Sequence, residues 1–553
     1  MLNKEQKKAA HSLNPAIVTA GPGSGKTKTL IERVAFLLNN NISPYEILCF
    51  TFTRSAAKEM KERLEARFNI TGLTITTIHS FCLNLIREGH DLLGFKEHIL
   101  TYDSVDSADL KDIIAKEHKW EYNPRKEDSC KDIDKINKEY HNRLREYNAV
   151  NFDQMQEFAI KLFDKGHMKH IQDRFRYVII DEMQDISDVD FELVKYISKI
   201  HHNVFCCGDL EQCIFEFRGS NPNLIKHLSG FNKDGYEVEL FQSYRCPQKV
   251  LDLCNTLAGT KLKSCVGEGK APVFNEFDCI EEEAEFIMDI CKSENPKSVG
   301  ILCRTNKIIE SISRHFLERG FDHHVVGNKI RLMDDPSVRT FNSFIKMRHN
   351  RRDYLQFFNV MPILYENIPV RQIRRVRSQS VIENKDLIDI AERDFDVSIF
   401  SLPQDDFIEK VSDLLDKWYR ERGMTTKADT VIKYTEFIYE WFVINPGKDL
   451  VDFVYYLSDL TVTEDSHKEV EDNPINLLTI HASKGLEFDY VFIPQINKNA
   501  FRSNDRNVLF VAMSRTKQKL FMSYSRFVYY GDLTKAIKPS IFLSDLYLVN
   551  MER

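Results

Sequence analysis

The sequence predicts an α/β protein with two parallel-sheet cores, each interrupted by a helical insertion. Short apolar runs alternate with helical patterns from residue 1 to about 88, which is the rhythm of a parallel sheet. That rhythm is lost between about 89 and 150 and returns at Tyr177–Ile180. A second alternating set begins at Val299, gives way to charged helical sequence from about 337 to 465, and then resumes. The interruptions therefore divide each core into two segments.

Each predicted element of the sheets follows from apolar periodicity. In the first core we predict helices at 28–39 and 54–68 and strands at 16–19, 47–52, 73–77, 177–180, 203–207 and 238–240. In the second core we predict strands at 299–302, 323–326, 475–479, 490–493 and 520–523.

Composition limits the class of protein. The chain has 553 residues, 42% of them apolar, and a net charge of -7, so a globally basic nucleic-acid coat is excluded while a local basic groove is not. The apolar runs are strand-length and the first residues are polar, so we expect neither a membrane span nor a signal peptide. Twelve cysteines without a C-x-x-C pair favour free thiols in the cytoplasm.

The clearest motif is the glycine-rich stretch Ala20–Thr27, which lies between a predicted strand and a predicted helix. Glycines let several backbone N–H groups point inward, and the helix N-terminus favours negative charge, so the stretch predicts a phosphate cradle. Lys26 would reach the β and γ phosphates and Thr27 would ligate Mg²⁺. The cradle residues are Ala20, Gly21, Gly23, Ser24, Gly25, Lys26 and Thr27, with Ala20 in a slot where the general pattern has glycine. The loop alone leaves kinases, transporter ATPases and GTPases open.

A second motif follows the apolar strand Tyr177–Ile180, which ends in Asp181 and Glu182. Ligands of open α/β sheets lie at the carboxyl ends of the strands. Asp181 suits the Mg²⁺ shell beside Thr27, and Glu182 suits a base that orients or deprotonates the attacking water. The alternative for this stretch alone is an acidic turn after a core strand.

A third stretch, Phe205–Gly219, follows another apolar strand. Gln212 could hydrogen-bond a γ-phosphate or its water. Phe217 and the adjacent Arg218 suit base stacking on a single strand, although taken alone the phenylalanines are more simply explained as core residues.

These stretches resemble the motifs of superfamily 1 DNA helicases of the UvrD/Rep type, in family order from residue 2 to about 545. Alanine is common in that family at the position of Ala20. Gln6 matches the adenine-reading glutamine, Phe50–Ala57 the first DNA-contacting motif, and Thr76–Phe81 the next. Two positions depart from the usual residues: Met183 stands where an aromatic or other apolar residue is typical, and Phe217 where tryptophan is frequent.

The second core fits the same resemblance through three further motifs. Gln242–Arg245 resembles the motif whose tyrosine stacks on adenine and whose arginine reaches the γ-phosphate. Leu478–Phe488 resembles a motif that contacts the DNA backbone and, through Glu487, the nucleotide sugar. Val511–Lys517 resembles the last motif, with Arg515 as a second arginine finger. A phosphoryl-transfer site needs positive charge on the transition state, and arginines from a second domain couple hydrolysis to domain movement.

The resemblance implies two RecA-like P-loop cores, 1–88 with 168–242 and 243–336 with 466–553, and accessory insertions at 89–167 and 337–465. It implies an ATP- and Mg²⁺-dependent translocase and helicase that acts on single-stranded DNA and duplex junctions, with 3′ to 5′ travel. The expected catalytic residues are Lys26, Glu182, Gln212, Arg245 and Arg515. The expected nucleotide contacts also include Gln6, Tyr244 and Glu487, and the expected DNA contacts are Phe52, Thr53, His79, Phe217, Arg218, Thr479 and His481.

Two questions stay open at the level of sequence. The basic clusters Lys346–Arg352 and Arg371–Arg377 suit either duplex phosphates or solvated helix faces. The chain also suits a DNA-sensing ATPase subunit that acts beside a separate nuclease, for example in anti-phage defence of the Gabija kind, because the first insertion is short and the last motif is close to the end of the sequence. A catalytically dead scaffold is disfavoured because the expected catalytic residues are all present.

Overall fold

The computed structural model describes residues 2–97, 99–124, 127, 130–214, 219–232, 234–326, 335–462, 474–530 and 533–543. Its strands, in chain order, are β1 (Ala16–Ala20), β2 (Ile47–Phe50), β3 (Thr74–Thr76), β4 (Leu100–Tyr102), β5 (Ala149–Asn151), β6 (Tyr177–Ile180), β7 (Val204–Gly208), β8 (Tyr236–Leu240), β9 (Gln242–Ser243), β10 (Lys263–Ser264), β11 (Val273–Phe277), β12 (Val299–Cys303), β13 (His324–Val325), β14 (Ile475–Thr479), β15 (Phe488–Ile493), β16 (Thr516–Ser525), β17 (Phe527–Tyr530) and β18 (Leu533–Ala536).

The α-helices of the described residues are α1 (Lys4–Ala10), α2 (Lys26–Asn39), α3 (Arg54–Glu65), α4 (Ile78–Glu88), α5 (His90–Leu93), α6 (Ser104–His118), α7 (Ile133–Glu146), α8 (Phe152–Asp164), α9 (Lys169–Arg174), α10 (Asp188–Ile197), α11 (Leu224–Phe231), α12 (Gln248–Ala258), α13 (Ile280–Glu294), α14 (Asn306–Glu318), α15 (Pro336–His349), α16 (Tyr354–Leu364), α17 (Val370–Glu383), α18 (Leu387–Ala391), α19 (Gln404–Arg420), α20 (Thr425–Ile444), α21 (Leu450–Val462) and α22 (Arg506–Met513). None of the helices in these ranges is both long and apolar enough to cross a bilayer.

The chain divides into two compact units. Unit 1 comprises Met1–Ile78, Met168–Lys329 and Asp465–Arg553, and unit 2 comprises His79–His167 and Ile330–Glu464. Both large sheets lie in unit 1, and unit 2 is mainly helical.

The first sheet of unit 1 has six parallel strands in the order β3-β2-β6-β7-β1-β8. Its central strands are apolar on both faces, as expected for a parallel sheet covered by helices. Because all six strands run the same way, β1, β6, β7 and β8 end at one edge of the sheet. The residues that follow these strands, from Gly21, Asp181, Asp209 and Phe241 onward, therefore share that carboxyl edge.

The second sheet of unit 1 has six parallel strands in the order β11-β16-β15-β12-β14-β13. Hydrophobic clusters cover it, one containing α12 and α22 and the other α13 and α14. Gly300 in β12 is required by packing, because a Cβ there would lie 2.4 Å from the Phe488 ring. The mixed α/β class with parallel sheets predicted from the sequence is confirmed.

Unit 2 is built from two segments of the chain that share one hydrophobic core. Side chains of the earlier segment, such as Leu110 and Tyr140, belong to the same buried cluster as Phe341 and Tyr434 of the later one. Polar bonds also join the segments: the Tyr102 hydroxyl donates to Asp353 at 2.6 Å, and the Asn350 amide donates to the Tyr147 carbonyl. The two insertions seen in the sequence thus pack as one body within this unit.

The structure adds strands that periodicity missed. Strands β4 and β5, of three residues each, pair in parallel within the region expected to be purely helical. Strand β11 forms an edge of the second sheet, and β16 begins four residues earlier than expected. Such short or partly exposed strands carry too few alternating positions to stand out from helical sequence.

Candidate nucleotide site and nucleic-acid contacts

The glycine-rich loop connects β1 to α2 at the carboxyl edge of the first sheet. Gly23 and Gly25 adopt positive φ angles of 68° and 79°, so they take a conformation that other residues rarely adopt. Gly25 caps helix α2, which begins at Lys26 and is fourteen residues long. The Ser24 hydroxyl is buried with no hydrogen-bond partner among the described residues. An unsatisfied hydroxyl and a helix N-terminus in one loop fit a phosphate ligand.

Residues that precede the second sheet lie directly against this loop. The Tyr244 amide donates to the Gly23 carbonyl at 2.8 Å. A Cβ on Gly23 would lie 2.5 Å from Arg245 Cβ and 2.8 Å from Ser243 Oγ, and one on Gly21 would lie 2.3 Å from Leu262. Close backbone approach, as well as positive φ, therefore requires glycine here.

A cluster of amide side chains lies beside the loop, around the expected adenine-reading residue Gln6. Gln6 is 2% exposed and donates through Nε2 to the Ser24 carbonyl at 2.8 Å. Asn3 caps helix α1 and its Nδ2 reaches Gln242 Oε1 at 2.9 Å and the Tyr244 hydroxyl at 3.0 Å. Tyr244 is 46% exposed, so its side chain is accessible to a ligand.

The two carboxylates after β6 sit close to the loop lysine. Lys26 Nζ lies 3.5 Å from Glu182 Oε2. Glu182 has a left-handed backbone (φ 50°), a conformation that costs a non-glycine residue about 1–2 kcal/mol. Burial raises the pKa of Asp181, helped by the neighbouring Glu182. Burial also opposes ionisation of Glu182, but Lys26 and Lys484 outweigh it and lower the pKa of that carboxyl.

Gln212 and Arg515 meet next to these carboxylates. Arg515 is 2% exposed and donates through Nη2 to Gln212 Oε1 at 3.1 Å, and Gln212 Nε2 donates to Asp209 at 2.5 Å. Burial, followed by the neighbouring Arg245, lowers the pKa of Arg515 to about 10. Arg515 also donates to the Val511 and Leu486 carbonyls and to the Ser514 hydroxyl, so its acceptors are all neutral, and an anionic ligand would stabilise this buried cation.

Arg245 and Glu487 pair beside the same loop. Arg245 Nε donates to Glu487 Oε2 at 2.8 Å and its Nη1 donates to the Ser514 carbonyl at 3.4 Å. Half of the Glu487 side chain is exposed, and Lys517 lies 3.9 Å from its other oxygen. The pair thus keeps one carboxylate at the rim of the site.

The donor set fits Mg²⁺ and a triphosphate. Thr27 lies in the first turn of α2 and offers a hydroxyl, and Asp181 offers a buried carboxylate, both being the hard oxygen ligands that Mg²⁺ prefers.

Of the expected DNA contacts, four lie in unit 1. Phe52 follows β2 and is 38% exposed, which is unusual for an apolar residue beside a core strand. The hydroxyls of Thr53 and Thr479 each accept a backbone N–H, from Ala56 at 3.1 Å and Ala482 at 3.2 Å, so both cap turns. His481 is half-buried just after β14.

Of the other three expected DNA contacts, one belongs to unit 2 and two fall outside the described residues. His79 lies in unit 2, where its ring faces Phe152 and its Nε2 lies 3.4 Å from Gln156 Nε2. Phe217 and Arg218 lie outside the described residues.

Four buried polar residues near the site were not selected from the sequence. They are Gln184, Asp185, Asp209 and Lys484, which are at most 9% exposed. Gln184 and Asp185 belong to the same motif as the acidic pair, and Lys484 lies in the Leu478–Phe488 motif, so their place in matched motifs was the available signal.

The basic clusters of unit 2 differ in their contacts. In the first, Lys346 pairs with Asp106, Arg351 with Asp389 and Arg352 with Asp386. In the second, Arg377 pairs with Glu117 at 3.2 Å. Arg371, Arg374 and Arg375 are exposed on α17 and have no acidic partner among the described residues.

Two parallel sheets around a glycine-rich phosphate loop define the chain as a P-loop nucleotide-binding protein. Comparison with protein families is more specific. The model of the UvrD/REP helicase N-terminal domain matches residues 2–128 and 115–232. The model of the UvrD-like helicase C-terminal domain matches residues 238–396 and 405–527. The chain belongs to the UvrD/REP helicase family.

Curated relatives agree with this assignment. The ATP-dependent DNA helicase PcrA of Staphylococcus epidermidis (strain RP62A) is 24% identical, over 99% of this chain and 86% of that protein. PcrA of Staphylococcus aureus (strain Mu50) has the same identity and coverage. Among solved structures, the C-terminal domain of a possible DNA helicase from Lactobacillus plantarum WCFS1 matches 55% of this chain and 94% of that chain, at 10% identity and a TM-score of 0.24, which is too low to carry weight. The chain is thus homologous to ATP-hydrolysing DNA helicases.

Proposed function

We propose that this protein is an ATP-dependent translocase on single-stranded DNA that unwinds duplex DNA. The observation that carries the proposal is the contact of Arg515 with Gln212 beside Lys26 and Glu182. Arg515 precedes a strand of the second sheet, whereas the other three follow strands of the first. A site assembled from two sheets hydrolyses ATP only when both are in place, so turnover and movement are linked.

In the proposed site the phosphate loop and Lys26 hold the triphosphate, and Thr27 and Asp181 hold Mg²⁺, which would neutralise charge on the phosphates. Glu182 orients the attacking water and Gln212 contacts the γ-phosphate. Arg245 and Arg515 stabilise the charge of the transition state. Gln6 reads adenine, Tyr244 stacks on it, and Glu487 binds the sugar.

We assign the two halves of the site to the cores 1–88 with 168–242 and 243–336 with 466–553, and the accessory domains to 89–167 and 337–465. Single-stranded DNA would contact Phe52, Thr53, His79, Thr479 and His481, together with Phe217 and Arg218. The family resemblance supports 3′ to 5′ travel and a cytoplasmic role in DNA repair or recombination.

Helix α17 is the proposed contact with duplex phosphates. Arg371, Arg374 and Arg375 follow helical spacing, so they lie close to one another on the exposed side of the helix. Their exposure without acidic partners in the described residues supports this role, since unpaired arginines are free to replace phosphate counterions. The paired residues Lys346, Arg351 and Arg352 are excluded from the proposed contact.

The test measures ATP turnover with and without a single-stranded oligonucleotide, and strand displacement from duplexes with a 3′ or a 5′ tail. We expect turnover to rise with DNA and displacement to require the 3′ tail. Turnover that does not respond to DNA contradicts the translocase proposal. Displacement from the 5′-tailed duplex alone contradicts the direction.

The second candidate is a DNA-sensing ATPase subunit that works with a separate nuclease, as in anti-phage defence. It predicts DNA-stimulated turnover without strand displacement by the purified chain. Displacement by the chain alone excludes it, whereas unwinding or cutting only by a purified complex supports it.

A further inference from the structure

A continuous line of buried hydrogen bonds leads to the expected catalytic base. Gln184 is fully buried, and its Nε2 donates to Glu182 Oε2 at 2.6 Å. Its Oε1 accepts the Asp209 amide at 2.9 Å, so the side chain is held from both ends. Gly208 leaves room for it, since a Cβ there would lie 2.8 Å from Gln184 Oε1. The orientation of Glu182 is thus set by Gln184.

The line continues to the second sheet. Gln184 Nε2 also lies 3.3 Å from Asp185 Oδ2, and that same oxygen accepts a hydrogen bond from Lys484. Lys484 follows β14 of the second sheet, 299 residues from Asp185 in sequence. Its ammonium also donates to the Gln212 carbonyl at 3.1 Å. Both side chains of the ion pair are at most 10% exposed.

Lys484 also contacts an expected DNA residue. Its Nζ lies 5.6 Å from the centre of the Phe52 ring, within cation–π range. A shift of Phe52 on DNA binding would therefore change its interaction with the Lys484 ammonium. The same ammonium holds Asp185, so its position could change as well.

We propose that Lys484, Asp185 and Gln184 form a positioning relay that sets Glu182 according to the state of the second sheet and of bound DNA. This inference rests on the proposed ATP-hydrolysing function and deepens it. None of the three residues touches the reacting atoms; they act through Glu182. A displacement of about 1 Å at a catalytic group lowers a rate about 10²-fold, so a hydrogen-bonded relay is sufficient to switch turnover.

The relay predicts a specific kinetic pattern. Gln184→Met keeps the side-chain volume but removes both amide bonds, so kcat falls at least about 10-fold while KM for ATP changes less than about threefold. Lys484→Met removes the link to the second sheet, so the ratio of DNA-stimulated to basal kcat falls at least about fivefold at saturating oligonucleotide. Lys484→Arg keeps the charge and a donor, and retains most of that ratio.

Matched controls separate this role from a general loss of stability. Gln172→Met removes a half-buried glutamine of unit 1 that bonds only the Tyr196 carbonyl among the described residues, and Lys410→Met removes an exposed lysine of unit 2. Both controls should retain the wild-type ratio. Nucleotide binding, measured with a fluorescent ADP analogue, checks that each variant is folded.

The outcomes discriminate between the proposals. If Lys484→Met keeps the full ratio, or if Gln184→Met keeps the wild-type kcat, the relay is wrong although the helicase function stands. If Lys484→Arg loses as much as Lys484→Met while both bind nucleotide, the charged link does not carry the signal and the relay is also wrong. A wild-type enzyme that DNA does not stimulate overturns the proposed function together with the relay.

Discussion

Buried and largely buried charges occur in both units, but their partners differ. In unit 2, Asp103 pairs with Arg339 at 2.8 Å, Asp106 with Lys346 at 2.9 Å, and Arg143 with both Glu117 and Glu139. In unit 1 Lys484 forms a close pair with Asp185, but Lys26 lies 3.5 Å from Glu182, and the acceptors that Arg515 bonds, Gln212 Oε1 among them, are all neutral.

The comparison separates charges that hold a fold together from charges kept for a ligand. A close ion pair compensates the burial of its members, so breaking it destabilises the protein. A buried cation whose acceptors are all neutral has its burial only partly compensated, so an anionic ligand stabilises it further. We therefore expect substitution of Lys26 or Arg515 in unit 1 to affect turnover, and substitution of an ion-paired residue such as Lys346 in unit 2 to affect stability.

The two effects are measurable separately. All three tryptophans, Trp120, Trp418 and Trp441, lie in unit 2, so tryptophan fluorescence follows the unfolding of unit 2 in the intact chain. ATP turnover reports on unit 1.

The largest expected effect is that of Lys26→Ala. Removing the cation that faces the phosphates should lower turnover at least about 10²–10³-fold, because that charge acts in a dry site. The tryptophan unfolding transition should not change. Retained hydrolysis would place the site elsewhere, and a shifted transition would contradict the division between the units.

Lys346→Met should show the converse behaviour. It leaves the largely buried Asp106, 13% exposed, without its close cation, which destabilises a protein by up to about 3–5 kcal/mol. We expect the tryptophan transition to move to lower urea concentration while DNA-independent ATP turnover persists below that concentration. Lys410→Met is the matched control, and an equal transition in both variants would show that the buried pair is not structural.

Asp353 should make the stability of unit 2 depend on pH. Burial raises its pKa from 3.8 to about 7, despite the hydrogen bond from Tyr102 that lowers it, and its Oδ2 has no partner in the described residues. The folded state then holds the proton more tightly than the unfolded state. The contribution of Asp353 to the free energy of unfolding is therefore fully present below about pH 4 and is lost as the pH rises through about 7.

Asp353→Asn removes this titration and keeps the shape of the side chain. The free energy of unfolding by urea is measured by tryptophan fluorescence at pH 4 and at pH 8. Its decrease between these two values should be smaller in the variant than in the wild type, by about 2–4 kcal/mol. Identical pH profiles for the two proteins would show that Asp353 ionises normally.

The smallest effect concerns the unpaired arginines of α17. Replacing Arg371, Arg374 and Arg375 by glutamine should weaken duplex binding by about 0.2–1 kcal/mol per residue and flatten the salt dependence by about one unit of slope for each lost phosphate contact. Arg420→Gln, which removes an exposed arginine paired with Asp416 and Asp429, is the control. An unchanged slope of the salt dependence would show that these arginines are solvated surface residues that do not contact the duplex.

Much of the fold was predictable from sequence because both parallel sheets are built from apolar strands followed by chemistry-bearing turns. The strand, loop and helix around Ala20–Thr27 and the strand before Asp181 follow directly from local pattern. Strands β4 and β5 could not be predicted from local pattern, because each is three residues long and is stabilised by a partner strand about fifty residues away.

Ion pairs between residues far apart in the sequence could not be predicted from local patterns either. The contact of Lys484 with Asp185 depends on two sheets, and the pairing of Lys346 with Asp106 depends on two insertions. Local charge patterns showed two similar basic clusters, and only the fold distinguishes Arg352, which has an acidic partner, from Arg374, which has none in the described part of the chain.

The most direct test of the central claim, that both sheets of unit 1 supply one ATP site, is single-turnover ATP hydrolysis by Arg515→Gln in the presence of single-stranded DNA. Arg515 precedes β16 of the second sheet and contacts Gln212 after β7 of the first. We expect nucleotide binding close to wild type and hydrolysis about 10³-fold slower, as for the loss of an arginine finger. Hydrolysis at the wild-type rate would show that the first sheet suffices and would contradict the claim.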